Sequence, residues 1–418
     1  MSSKSHISFA ALRHRGFRFF FVASMSAMLA DYVEHVISYW VMYQKFHSRA
    51  LLGFAVVSHW VPFLLFSAWS GAQAERRDPR RLIQIGMALF MGVSLAWGVL
   101  FYTNTLQIWH AMLLLSIHGI AGVFWTPSAQ LLVYDIVGPA DLQSAVRLTA
   151  TARYLGTLLG PAIGSVLMLW LGPVAGIMCN AAIYLPMLLW LWKAPYGPAF
   201  RAAGNAPRAA LHGFAEIFAT LRTVAGNRTL LSMVLLAGLV SLFIGTSYQA
   251  QMPGFALALG HGDPGIAYSA LLGADAAGAL LGAALLESFG LLQPRPALAL
   301  VLGTLWCVAL AGFAITTHYT LALLLMFAAG FIELSFSSMA QTLVQLNAPT
   351  EIRGAVIGVF AMAALGMRTF SGLTVGVLGE LIGIHWSLGL SAAALGLCLL
   401  VLMFYVRQPW RPAPAGAT

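Results

Sequence analysis

Glu34, His35 and Ser38 follow Asp31 at spacings of three, four and seven, so a helix places all four on one face. Carboxylates beside an imidazole are the groups that take up and hand on protons near neutral pH. Two carboxylates one turn apart repel, and a bound proton relieves the repulsion. Glu333 heads a second polar stripe, with Ser337, Gln341 and Gln345 following at every fourth residue. These two stripes predict a proton-exchanging group led by Asp31, Glu34, His35 and Glu333. Arg153 and Arg368 must each meet a carboxylate, backbone carbonyls or an anionic ligand, because a guanidinium does not shed its charge. Asp275 is the expected partner of Arg368. His118, Trp125 and Thr126, with Ser38, Tyr248, Ser337 and Gln341, offer aromatic and amide groups. Those suit an aromatic or amphipathic ligand and suit plain packing equally well.

The elements that position these groups are apolar throughout. The 418 residues are 60% hydrophobic and 8% charged, against about 25% charged in a soluble domain. That excludes a cytosolic enzyme, a secreted disulfide scaffold and a disordered chain. Hydropathy predicts twelve spans, near 17–43, 50–74, 81–102, 107–135, 142–170, 173–193, 228–257, 264–289, 296–316, 319–346, 354–383 and 385–406. An ionisable group near a bilayer centre costs on the order of 2.5–3.5 kcal/mol on insertion scales, which makes each one above a site candidate.

The net charge of +9 comes from arginines and lysines at helix ends, among them Arg13, Arg15, Arg18, Arg76, Arg77, Arg80, Arg81, Arg222, Arg228, Arg353 and Arg407. The opposite connections carry only Lys45 and Arg49. The positive-inside rule then predicts both termini in the cytoplasm. No single basic patch calls for nucleic acid. Phe19–Ala30 resembles a signal peptide, but the apolar run continues past Asp31 to Tyr43, so an uncleaved first helix is expected. Cys179, Cys307 and Cys398 lie in apolar runs and read as packing residues. No phosphate-binding glycine loop and no histidine or cysteine group with metal-ligand spacing is present, so neither a cofactor nor a metal is expected.

Residues 194–227 form the longest polar segment and divide the chain into 1–193 and 228–418. Pro139-Ala-Asp-Leu-Gln-Ser-Ala-Val146 is similar to Pro349-Thr-Glu-Ile-Arg-Gly-Ala-Val356 at the matching junction of the second half. Parallel repeats of this sort are one transporter pattern.

With that repeat and the twelve spans, two further segments resemble the major facilitator superfamily. Gly71-Ala-Gln-Ala-Glu75-Arg76-Arg77-Asp78-Pro79-Arg80-Arg81 is similar to the family's cytoplasmic loop signature, with Glu75 and Asp78 replacing its aspartate and second glycine. Gly156, Gly160, Pro161 and Gly164 are similar to the motif of the family's antiporters. They are equally a small-residue stripe that lets two helices approach. The segment from Ser338 to Gly354 resembles the bacterial enterobactin-exporter and secretion-permease branch. The resemblance implies an all-α membrane fold of two pseudo-symmetric six-helix bundles, with helices 1, 4, 7 and 10 lining a central cavity. It implies a non-enzymatic, monomeric carrier in the inner membrane that moves a small organic molecule by alternating access. Proton-coupled export of a siderophore or metabolite is the leading expectation. Multidrug efflux, uptake symport and lipid flipping stay open. Near the cytoplasmic face, Glu75, Arg76, Asp78 and Asp135 are expected to form a gate network with Arg80 or Arg147.

Overall fold

The computed structural model describes residues 8–47, 49–197, 200, 214–260, 264–290, 292–371, 375 and 377–407. Most of the predicted linker, including Gly204, Pro207, Arg208 and His212, lies outside the described residues, as does the tail from residue 408.

Among the described residues, ten helical stretches are long and apolar enough to cross a bilayer. One of them, 86 residues long, is cut at Gly138 (φ 69°) and Gly172 (φ 77°) into three, which makes twelve spans. Each glycine precedes a proline, so the left-handed residue ends one helix and the proline starts the next. The spans are α1 (Arg15–Phe46), α2 (Arg49–Arg76), α3 (Pro79–Tyr102), α4 (108–137), α5 (139–171), α6 (173–193), α7 (Arg228–Phe243), α8 (Pro264–Phe289), α9 (Pro296–Ile315), α10 (Tyr319–Asn347), α11 (Thr350–Ser371) and α12 (Ile384–Arg407). A separate helix, Phe214–Gly226, precedes α7.

Local chemistry fixes several starts. Asp78 accepts from the Arg80 backbone N–H at 3.0 Å, with Pro79 at the first helical position of α3. The Asn227 side chain accepts from Thr229 and Leu230 at the start of α7.

Two predicted spans are broken rather than continuous. The span predicted over 228–257 leaves helical geometry after Phe243, turns at Gly245 (φ 53°) and resumes as Met252–Ala258. The span predicted over 354–383 carries a π-helical turn at Met362–Gly366, and a short helix ends it at Leu378–Ile382 before Gly383 (φ 89°). Hydropathy averages over about twenty residues and so passes over such backbone changes, even across the polar run from Thr246 to Gln251.

The fold is two six-helix bundles. Phe17, Phe20, Phe90 and Tyr184 pack one side of the first, with Trp97 and Ile177 in its other core. Phe255, Trp306, Phe313 and Phe336 centre the second. The bundles meet along α2 against α11 and α5 against α8. There Gly71, Gly354 and Gly358 bring backbones together, while Ala150 packs with Ala279, Ala283 and Leu286.

Candidate functional site

Inside the first bundle, α1 presents Asp31 and Glu34 to His118 of α4. His118 Nε2 lies 2.7 Å from Asp31 Oδ1 and His118 Nδ1 lies 2.8 Å from Glu34 Oε1. A neutral imidazole has one N–H, so two such bonds need either an imidazolium or a protonated carboxyl. Both descriptions hold the same number of protons and the same net charge of minus one. Ser94 of α3 donates to Glu34 Oε2, and Asn180 of α6 donates to the Ser94 hydroxyl at 3.3 Å. Glu34 is 3% exposed, so this chain of donors stands where water would otherwise be. His35 Nδ1 lies 2.7 Å from the Asp31 carbonyl oxygen and donates to it. The Ser38 hydroxyl reaches the His35 carbonyl at 3.5 Å.

A cavity lies between the bundles. Its wall includes Thr126, Arg153, Glu333, Ser337, Gln341 and Arg368, and its volume is about 90 Å³. A neighbouring cavity of about 70 Å³ shares Thr126, Arg153 and Gln341 and adds Trp125. The Trp125 indole N–H there is buried without a partner. These spaces hold several waters, far below the ~300–1,000 Å³ that a drug-sized ligand fills. Holding an organic solute therefore requires the bundles to move apart. Arg368 places its guanidinium 4.9 Å from the Trp60 ring centroid, and its Nε is buried with no hydrogen-bond partner.

At the arginine-rich end the bundles are latched together. Glu75 Oε2 accepts from the Gly354 backbone N–H at 2.7 Å. Arg147 donates to the carbonyls of Leu286 (2.8 Å) and Leu292 (3.1 Å) and stands 3.8 Å from Glu287. Ser144 also donates to Glu287. Arg353 lies over the Tyr134 ring at 3.9 Å.

A family model described as "transmembrane secretion effector" matches residues 6–413. The chain belongs to that family of the major facilitator superfamily. Solved structures agree at the level of fold. The Escherichia coli fucose:proton symporter in its outward conformation aligns with a TM-score of 0.72 at 13% identity, over 94% of this chain and 100% of that one. The human organic anion transporter MFSD10 aligns at 0.70 and 16% identity, over 94% and 99%. A staphyloferrin A transporter of Staphylococcus aureus is 26% identical over 176 residues, 42% of this chain and 44% of that protein. The match thus spans less than half the length of that relative.

In this transporter the predicted residues separate into distinct groups. Asp31 and Glu333, expected to face one cleft, are not brought together: Glu333 lines the cavity between bundles, and Asp31 sits in the His118 cluster. His118, expected in the cavity wall, is instead the centre of that cluster. Tyr248 is buried, with its hydroxyl 3.4 Å from Gln249 Nε2. Asp275 does not pair with Arg368. Its Oδ1 is buried without a partner, and its carbonyl packs against Gly330. The expected single gate network is several separate contacts. Asp78 binds Arg80, whose Nη1 reaches the Ala194 carbonyl, whereas Glu75 and Arg147 bridge the bundles. Arg76 and Asp135 lie at the same end. Gly156, Gly160 and Gly164 seat α5 on Met28, Tyr32 and Val33 of α1, and Pro161 faces outward.

The sequence shows no histidine group with metal-ligand spacing, and no metal is expected from it. That is corrected by the fold, which gathers His35, His59 and His118. Their sequence spacing follows no motif because each comes from a different helix. The available signal was His59 itself, an ionisable side chain deep in an apolar span. Ser94 and Asn180, polar residues inside apolar helices, gave a similar signal.

Proposed function

We propose that this transporter is a proton-coupled exporter of a small organic molecule, siderophore- or metabolite-like, working by alternating access. The rocking units are 1–193 and 228–418, joined by 194–227. The arginine-rich end faces the cytoplasm of a bacterial inner membrane, and one chain is the working unit. The secretion description of the family favours export, and the staphyloferrin A relative favours a siderophore-like solute.

The observation that carries the coupling is Glu333 sharing a cavity wall with Arg153 and Arg368. The proton held by Glu333 sets how much of the arginine charge in that wall is balanced. Proton binding and the holding of a charged solute are thereby linked. Trp125, Thr126, Ser337 and Gln341 supply the neutral contacts.

The test uses purified protein in liposomes with radiolabelled staphyloferrin A as solute. Wild type moves it against its gradient when a pH step is imposed. Glu333→Gln abolishes the response to the pH step and keeps solute-for-solute exchange. Retention of the response to pH by Glu333→Gln overturns the assignment. The two arginines favour one second reading, uptake of an anion together with a proton. The sign of the pH step that drives accumulation separates the two.

A further inference from the structure

His35, His59 and His118 project from α1, α2 and α4, and one ring nitrogen of each lies within 4.8 Å of the other two. Their rings stand 4.8–5.6 Å apart, centroid to centroid. Two of the rings are already anchored. His35 Nδ1 is held by the Asp31 carbonyl at 2.7 Å and His118 Nδ1 by the Glu34 carboxylate at 2.8 Å. This is how metal-ligating histidines are oriented: one nitrogen is fixed by a carbonyl or carboxylate, and the other is left for the ion. His59 Nδ1 is buried with no hydrogen-bond partner. The remaining His118 nitrogen, Nε2, faces Asp31 Oδ1 at 2.7 Å. A cation entering there takes the place of the proton between them and gains Asp31 as an oxygen donor.

We propose that His35, His59 and His118, with Asp31 as fourth donor, form a binding site for a divalent first-row transition-metal ion of the zinc class. Three imidazoles and a carboxylate suit Zn²⁺, Co²⁺, Ni²⁺ or Cu²⁺, whereas Mg²⁺ and Ca²⁺ take oxygen donors. Bonds of about 2.0–2.1 Å place tetrahedral ligand atoms roughly 3.4 Å apart, so the three rings draw inward while the 2.7 Å contact between His118 Nε2 and Asp31 Oδ1 opens. Asp31 as ligand and Glu34 behind His118 supply two negative charges to the dication, which makes the filled site neutral. Ser94 keeps its bond to Glu34 in that state. The site joins three helices of one bundle, so the ion also cross-links α1, α2 and α4. The proposal concerns ion binding alone and does not rest on the transport reading.

The full chain is purified in detergent with a histidine-free tag, stripped with chelator and titrated with Zn²⁺ by calorimetry. Wild type is expected to bind one equivalent. His35→Gln and His59→Gln are each expected to weaken binding by about tenfold or more, and His318→Gln, distant in sequence and outside the cluster, to leave it unchanged. X-ray absorption at the zinc edge of the wild-type complex needs no variant and is expected to show three imidazoles with one oxygen. Binding no tighter than that of a His35→Gln, His59→Gln double variant overturns the site. So does a zinc spectrum with fewer than two imidazoles.

Discussion

Gly71 and Gly354 touch across the two bundles: a methyl group on Gly71 would stand 2.1 Å from the Gly354 carbonyl oxygen. The relation is reciprocal, since a methyl on Gly354 would lie 2.3 Å from the Gly71 oxygen. Gly358 repeats it one turn on, against the Ser67 carbonyl at 2.3 Å. Only glycine lets these two helices approach so closely, and this contact holds the arginine-rich end shut.

Gly71→Val and Gly358→Val are therefore expected to keep that end open. A cysteine placed at Ser337, in the cavity wall, should react faster with a hydrophilic maleimide added from the arginine-rich side. An unchanged rate in both variants would refute the contact as the determinant of closure.

Glu75 is a second determinant. Its carboxylate accepts a buried backbone N–H, and hydrogen bonds to charged groups contribute about 1.5–3 kcal/mol. Glu75→Ala removes the acceptor, and Glu75→Gln keeps a neutral one. Spin-label distances across the arginine-rich end should broaden most for alanine and less for glutamine.

Arg147 serves two carbonyls and the buried Glu287 at once. A lysine ammonium cannot reproduce that planar fork. Arg147→Ala and Arg147→Lys are both expected to shift the spin-label distances toward separation. Removing one partner of a buried ion pair costs about 3–5 kcal/mol, so the alanine variant should spend most of its time open.

Within the second bundle, α8 and α10 interlock through Gly278 and Gly330. Added methyls there would stand 1.9 Å from the carbonyl oxygens of Phe327 and Asp275. Gly278→Ala and Gly330→Ala should each lower the melting temperature in detergent, since overpacking costs about 1–3 kcal/mol. Gly273→Ala, with nothing within 4 Å of the new methyl, should melt like wild type apart from a gain in helix propensity.

The membrane class and the number of spans were legible because apolarity is a sum over about twenty residues and tolerates local irregularity. The helical face of Asp31, Glu34 and His35 was legible from spacing within one helix. Partnership was not. Asp31 and Glu34 meet His118 through the packing of α4 on α1, and no pattern along the chain encodes that. The same holds for His59, which is distinguished in sequence only by being titratable in apolar company. Asp275 and Arg368 misled because charge complementarity alone suggested a pair. Asp275 is instead committed to the α8–α10 interface, and Arg368 rests on an indole from the other bundle.

That indole sets a condition on any motion. Trp60 belongs to α2 and Arg368 to α11, so a rotation that parts the two units strips the guanidinium of its π face. The cation then faces the opened cavity, whose wall it shares with Glu333, with room for a new electron-rich neighbour. Whichever molecule provides one becomes, for that interval, a structural replacement for the tryptophan. The passage of cargo and the swivelling of the scaffold would thus be negotiated at a single side chain.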